Sequence, residues 1–203
     1  MKREGLLYVI SAPSGAGKTT LCNAIIDLFS ELGQSISFTT RPIRAGEVDG
    51  VDYYFVTQDV FKQMIAAEEL VEWAQVHGNY YGTALKTLTD ARSNGRDVLL
   101  DIDFQGALQL KKLDLNVVFI FIAPPSFAVL ENRLRGRGTD SAEVISRRIE
   151  NAAVEMAQAR WYDYIIVNGE LDQAIAELKA VISAQRCRGD MVFPWIEQQF
   201  NVE

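Results

Sequence analysis

Leu6 to Leu21 reads LLYVISAPSGAGKTTL, and the fold class follows from how this stretch divides. Leu7 to Ile10 is an unbroken run of β-formers, the pattern of a buried strand. Pro13 to Gly17 cannot prolong it, and helix-compatible spacing begins at Lys18. The stretch is a strand, a glycine loop and a helix. Gly15 and Gly17 lack side chains, so the loop Ala12, Pro13, Ser14, Gly15, Ala16, Gly17 can turn backbone N–H groups inward on a phosphate, which also sits at the positive end of the helix. Lys18 then reaches the β- and γ-phosphates and the Thr19 hydroxyl meets Mg²⁺, with Thr20 beside them. The motif G-x-x-x-x-G-K-[ST] is met except at its first position, where Ala12 stands. The plain alternative is a tight turn with a surface lysine; the strand context and Gly15 favour a nucleoside triphosphate site.

With 203 residues, 48% of them apolar, the chain suits one α/β domain with small inserted lobes. Its net charge of −7 argues against a nucleic-acid surface. Basic residues gather locally instead, at Arg41 to Arg44 and Arg133 to Arg148, so small anionic substrates are expected. Met1 to Gly5 is too short and polar for a signal segment, and no apolar run approaches the roughly 20 residues of a membrane span. A cytoplasmic protein without a membrane partner is expected. Cys22 and Cys187 fall on predicted helices, show no C-x-x-C pattern and read as reduced thiols. His77, the single histidine, reads as a turn or surface residue rather than a ligand or base.

Along the chain, Leu21 to Leu32 has helical spacing and Gly33 reads as its C-terminal cap. SISF (35–38) and VDYYFV (51–56) read as short strands around a long loop, Asp59 to Ala67 as a helix, VEWAQV (71–76) as a strand and GNYYGT (78–83) as a turn bringing two tyrosines together. A helix over 84–93, a buried strand over 97–102, a helix over 105–113 and a second buried strand over 116–123 follow. Helices from Ser126 to Leu134 and from Ser141 to about Gln158 flank RGRGTDS, which reads as a hinged flap. A strand over 164–168 and a helix over 171–186 precede an apolar tail, MVFPWIEQQF. Parallel strands joined by crossover helices fit this order best.

Three groups of side chains are candidates for chemistry. Arg41 and Arg44, held apart by Pro42, present two guanidinium forks suited to a phosphate, the alternative being a solvated charged loop. Asp101 and Asp103 end a buried strand, where period-two geometry points both to one face and a carboxylate can hold Mg²⁺ through its water shell. Arg133, Arg135, Arg137, Arg147 and Arg148 either close over a nucleotide or form a basic helix face; the break at Gly136 and Gly138 favours closure.

The blocks SAPSGAGKTT, TTRPIRAGEVDGVDYYFV, VEWAQVHGNYYGT, LDIDFQGA, FIAPPS, LRGRGTDS and DYIIVN together resemble the guanylate kinases, which move a phosphoryl group from ATP to GMP. Ala12 in place of the first glycine also resembles bacterial members. The resemblance implies a P-loop-type parallel sheet flanked by helices: a core of residues 1–33, 85–125 and 159–187, a GMP-binding lobe over 34–84, a lid over 126–158 and a tail over 188–203. It implies that Arg41, Arg44, Tyr53 and Tyr81 hold the GMP phosphate, that Glu72 reads guanine, and that Ser37, Thr83 and Asp103 contact the base edge. It further implies Asp101 near GMP and magnesium, Arg133, Arg137 and Arg148 as lid arginines, and Asn168 beside the adenine pocket. The family usually follows that Asn with two acidic residues; here Gly169 and Glu170 stand there.

The expected activity is phosphorylation of GMP, with dGMP left open, in purine nucleotide metabolism, with Mg²⁺ accompanying ATP. Two alternatives stand beside it: a catalytically silent, peptide-binding module of the same fold, and a kinase for another phosphorylated acceptor. The apolar tail leaves a homo-oligomer open.

Overall fold

The computed structural model describes residues 4–76, 78–113, 115–136, 138 and 141–202. The opening stretch folds as read: strand β1 (Leu7–Ser11) enters the loop and helix α1 (Lys18–Leu28) leaves it. β1 is the middle strand of a five-stranded sheet. It pairs in parallel with β7 (Asp97–Asp101) and β8 (Val117–Ala123), while β2 (Leu32–Gln34) and β9 (Tyr164–Val167) lie outermost, giving the order β2-β7-β1-β8-β9. Parallel neighbours need crossovers, and α4 (Phe104–Lys111) provides the one between β7 and β8.

Both faces of this sheet are covered, which is why its strands read as continuous apolar runs. Leu6, Tyr8 and Ile10 share one core with Leu21 and Ile25 of α1 and with Ala174, Leu178 and Ile182 of α7 (Leu171–Arg186). Those three positions on α7 recur every fourth residue, a single helical stripe. Leu7 and Val9 face the other way, against Leu88 of α3 (Leu85–Ser93) and Ala107 and Leu110 of α4.

A second sheet, ordered β4-β3-β6-β5, is built from β3 (Phe38–Thr39), β4 (Tyr54–Phe55), β5 (Leu70–Val76) and β6 (Asn79–Ala84). Helix α2 (Gln58–Ala66) joins β4 to β5 and is capped by Thr57, which accepts from the Val60 N–H. Gln109 of α4 fastens this sheet to the core: its side-chain amide accepts from Trp73 N at 3.1 Å and donates to Trp73 O at 2.6 Å. A third body consists of α5 (Phe127–Gly136) and α6 (Ala142–Gln158), packed through Leu130, Leu134, Ile145 and Ala152. Ser126 and Ser141 cap them through the N–H groups of Val129 and Val144. The tail forms α8 (Gly189–Phe200), none of whose residues is buried.

Several boundaries differ from the sequence reading. Gly33 does not cap α1, which stops at Leu28; Leu32 and Gly33 instead pair with Asp97 and Val98 of β7, because burying Leu32 beside the sheet outweighs prolonging the helix. GNYYGT is not a turn but β6, antiparallel to β5, so its tyrosines part: Tyr80 stacks on Phe61 and Tyr81 meets Tyr53. The strands expected over 35–38 and 51–56 shrink to two residues each. Asp103 lies beyond β7 and caps α4 by accepting from the N–H groups of Gln105 and Gly106, so it does not share a strand face with Asp101. Cys187 follows α7 as its C-cap rather than lying within it. His77 and Arg137 lie outside the described residues.

Candidate functional site

The loop after β1 is held open from behind. Gly15 and Gly17 have φ of 95° and 93°, in the left-handed region that side chains disfavour. Asn168, at the end of β9, donates from Nδ2 to the Ala16 carbonyl at 2.8 Å, and a Cβ on Gly17 would stand 2.3 Å from that nitrogen. Arg133 of α5 donates to the Asn168 carbonyl at 2.9 Å, and Arg148 of α6 to Ser14 Oγ at 3.2 Å. Two of the predicted lid arginines thus bracket the loop. The carbonyl of Gly169 lies 3.5 Å from Arg133, a backbone contact indifferent to the missing acidic side chain.

The loop walls a cavity of about 690 Å³ that Ser14, Thr19 and Thr20 share with Asp103, Asn151 and Glu155. A smaller cavity, about 250 Å³, lies between the two sheets and is lined by Ser37, Tyr53, Glu72, Tyr81, Asp101 and Asp103. Lys18 lines both. Its Nζ donates to the Ile102 carbonyl at 3.2 Å and forms an ion pair with Asp101. Burial alone would lower its pKa, but the Asp101 charge and hydrogen bond prevail and raise it.

Glu72 is the most unusual group here. The residue is only 4% exposed, and its Oε1 has no hydrogen-bond partner. Burial pushes its pKa up to about 7, with the Asp103 charge adding and hydrogen bonds from Thr83 opposing. Thr83 is itself buried, 3.5 Å from Ser37 across their hydroxyls. A buried acceptor with a free lone pair beside a cavity is poised for a ligand donor.

Arg41 and Arg44 stand at the edge of this arrangement rather than within the smaller cavity's lining. Arg41 is paired with Glu47 at 2.7 Å and packs on the rings of Tyr53 and Phe55; the Glu47 hydrogen bond raises its pKa, and one to Tyr81 adds to the effect. The backbone N–H of Arg44 donates to the other oxygen of Glu47, and its side chain is exposed. Glu47 thus takes a place between the arginines that an anion could take. Burial and nearby Asp101 raise the Tyr53 pKa, so it remains a phenol and a donor. Cys22 is buried, and burial pushes its thiol up to about 12, which leaves it unreactive.

Sequence reasoning missed Glu47 and Glu155. Glu155 recurs with Arg148 and Asn151 on one face of α6, and burial together with the Asp103 charge pushes its pKa up to about 7. That i, i+3, i+7 spacing was the signal available. For a metal, Thr19 and Asp101 offer two hard oxygen donors, and among the described residues no group of three or more His, Cys, Asp or Glu could hold an ion. Thr19 lines the larger cavity and Asp101, paired with Lys18, the smaller one; two such donors suit an ion like Mg²⁺ that keeps several waters and takes phosphate oxygens.

A family model described as guanylate kinase matches residues 4–185. The chain belongs to the guanylate kinase family. A guanylate kinase of Syntrophotalea carbinolica is 57% identical over 203 residues, covering 100% of this chain and 97% of the relative. One of Geobacter metallireducens is 55% identical over 202 residues, with 100% of both chains covered. The crystal structure of guanylate kinase from Anaplasma phagocytophilum superposes with a TM-score of 0.80 at 32% identity, covering 100% of this chain and 98% of that one. The guanylate kinase family model ends before α8, whereas the two bacterial relatives span the tail as well. No helix among the described residues is long and apolar enough to cross a membrane.

Proposed function

We propose that the chain transfers the γ-phosphoryl group of ATP to GMP, giving ADP and GDP. The observation that carries this reading is that Lys18 lines both cavities, so a triphosphate on the loop and a monophosphate between the sheets would meet at one ammonium group.

In this reading the loop from Ala12 to Gly17, with Lys18, Thr19 and Thr20, holds the ATP phosphates through amide hydrogens, the ammonium and hydroxyls. Arg41, Arg44, Tyr53 and Tyr81 hold the GMP phosphate, which requires Arg41 to exchange Glu47 for the substrate. The Glu72 carboxylate accepts from guanine N1–H and the 2-amino group. Adenine presents no such pair of donors and leaves the carboxylate buried and unpaired, so AMP is rejected. Ser37, Thr83 and Asp103 complete the base pocket. Thr19 and Asp101 would hold Mg²⁺ with its waters, and the ion, when bound, supplies neutralisation of phosphate charge.

The GMP phosphate is ionised near neutral pH, so no general base is needed. Catalysis comes from alignment and from the cations of Lys18, Arg41, Arg44, Arg133, Arg137 and Arg148 around the transferred group. Division into a core (1–33, 85–125, 159–187), a GMP-binding lobe (34–84), a lid (126–158) and a tail (188–203) lets lobe and lid close and expel water that would otherwise hydrolyse ATP. The reading places the reaction in the cytoplasm, with ATP and GMP as partners, no nucleic acid or membrane, and α8 as the surface through which copies would associate.

A coupled assay across phosphorylated acceptors tests this. Phosphorylation of GMP, with AMP and ribose phosphates inert, is the expected result; turnover of another acceptor in preference to GMP, or of none, would overturn it.

A further inference from the structure

Gly106 sits inside α4 with an ordinary helical backbone, so no left-handed turn requires a glycine there. Glycine in a helix costs up to about 1 kcal/mol relative to alanine, less in the first turn where Gly106 lies. Something else therefore favours the missing side chain. A Cβ at this position would fall 2.2 Å from Glu72 Oε2 and 3.0 Å from its Cδ, with Ile102 Cδ1 at 3.4 Å on another side. The Glu72 carboxylate rests directly on the bare Cα.

One turn further along, Gln109 holds both backbone groups of Trp73, the residue after Glu72. The main chain of β5 is fixed against α4, so strain at Gly106 cannot be relieved by moving the strand away. Only the flexible end of Glu72 can yield. The open space available to it is the 250 Å³ cavity in which the acceptor base would lie.

We infer that Gly106 is a specificity-positioning residue: its absent side chain is the seat that sets the depth of the Glu72 carboxylate and keeps Oε1 at the distance a guanine edge requires. The inference rests on the reading of Glu72 as the guanine acceptor. Any side chain at 106, even a methyl group, pushes the carboxylate into the space of the base.

The test compares Gly106→Ala, Glu72→Gln and Glu72→Asp, singly and combined, by steady-state kinetics and thermal unfolding. Gly106→Ala is expected to raise the KM for GMP about tenfold or more, while the KM for ATP stays within about twofold and Tm is unchanged or higher. Any ionisation of Glu72 expressed in the pH profile of kcat/KM for GMP should move down towards the ordinary carboxylate range, because the displaced group is better solvated. Glu72→Asp, one methylene shorter, should cost less GMP affinity when combined with Gly106→Ala than it does in the parent. Unaltered GMP kinetics and pH profile in Gly106→Ala, beside a weakened Glu72→Gln, would overturn the seat alone. A GMP KM unmoved by Glu72→Gln would overturn the guanine reading and the seat with it. If Gly106→Ala does not fold, Glu72→Ala/Gly106→Ala must, since the clashing atoms are gone; an unfolded double variant would overturn the inference.

Discussion

Replacing Glu72 with glutamine should make the protein more stable and worse at its task. The Glu72 carboxyl is buried and its pKa rises from 4.5 to about 7 on folding. Each tenfold change in an ionisation constant is worth about 1.4 kcal/mol, so the ionised carboxylate costs the folded state about 3 kcal/mol. The sign follows from proton uptake. Below about pH 4.5 the group is protonated in both states and costs nothing; between there and pH 7 the folded chain holds a proton that the unfolded chain has released, so stability falls as pH rises. Above pH 7 the penalty is complete. Glutamine has nearly the same shape and does not titrate. Urea unfolding of the two proteins should therefore give similar free energies near pH 4.5 and a gain of about 3 kcal/mol for Glu72→Gln near pH 8, at equal m-values. In parallel the variant should bind GMP more weakly and begin to accept AMP, because an amide presents one donor and one acceptor to the base edge. Stability curves that stay parallel across this pH range would refute the burial argument.

Further outcomes follow from other contacts. Lys18→Met should abolish turnover while the chain still folds, at some cost in stability because Asp101 loses its ion-pair partner; wild-type activity in a clean preparation would refute its role. Asp97 is fully buried, accepts from Leu6 N at 2.9 Å and from Arg186 Nε at 2.7 Å, and lies outside either cavity's lining. Asp97→Ala leaves the Arg186 charge partly buried and should lose about 3 kcal/mol in urea unfolding with kcat per folded molecule unchanged. Small-angle scattering should register compaction when a bisubstrate analogue joining adenosine and guanosine is added, and an unchanged radius of gyration would count against closure of 34–84 and 126–158 over the core.

The fold was legible where one physical cause governs a stretch. Leu7–Ile10 and 117–123 are buried on both faces, so their composition alone marks them as central strands, and Ser126 and Ser141 announce their helices through capping. Reading failed where tertiary pairing decides. Leu32 continues a helical stripe in sequence, yet β7 offers it a partner that sequence cannot display. Residues 78–83 look like a turn because Gly78, Asn79 and Gly82 dominate them, whereas Gly82 is small because the Glu72 carbonyl, Phe61 and Trp73 crowd the place a Cβ would take. At the candidate site, the loop was singled out by its motif and Glu72 by the resemblance. Glu47, Glu155 and Gly106 were not, since a charge on a loop, a charge on a helix and a helical glycine each look ordinary until their neighbours are known.

Two of the cations proposed to act at the site are paired from within: Lys18 rests on Asp101 and Arg41 on Glu47. An internal carboxylate acts at a high effective concentration, so a stray sulfate or inorganic phosphate meets no bare positive charge at these two positions and gains little by displacing it. In the proposed reading, a ligand with a base, a sugar and a phosphate together would make several simultaneous contacts in exchange for these pairs. On that reading, substrate binding at these two positions is an exchange of partners rather than the filling of a bare charge.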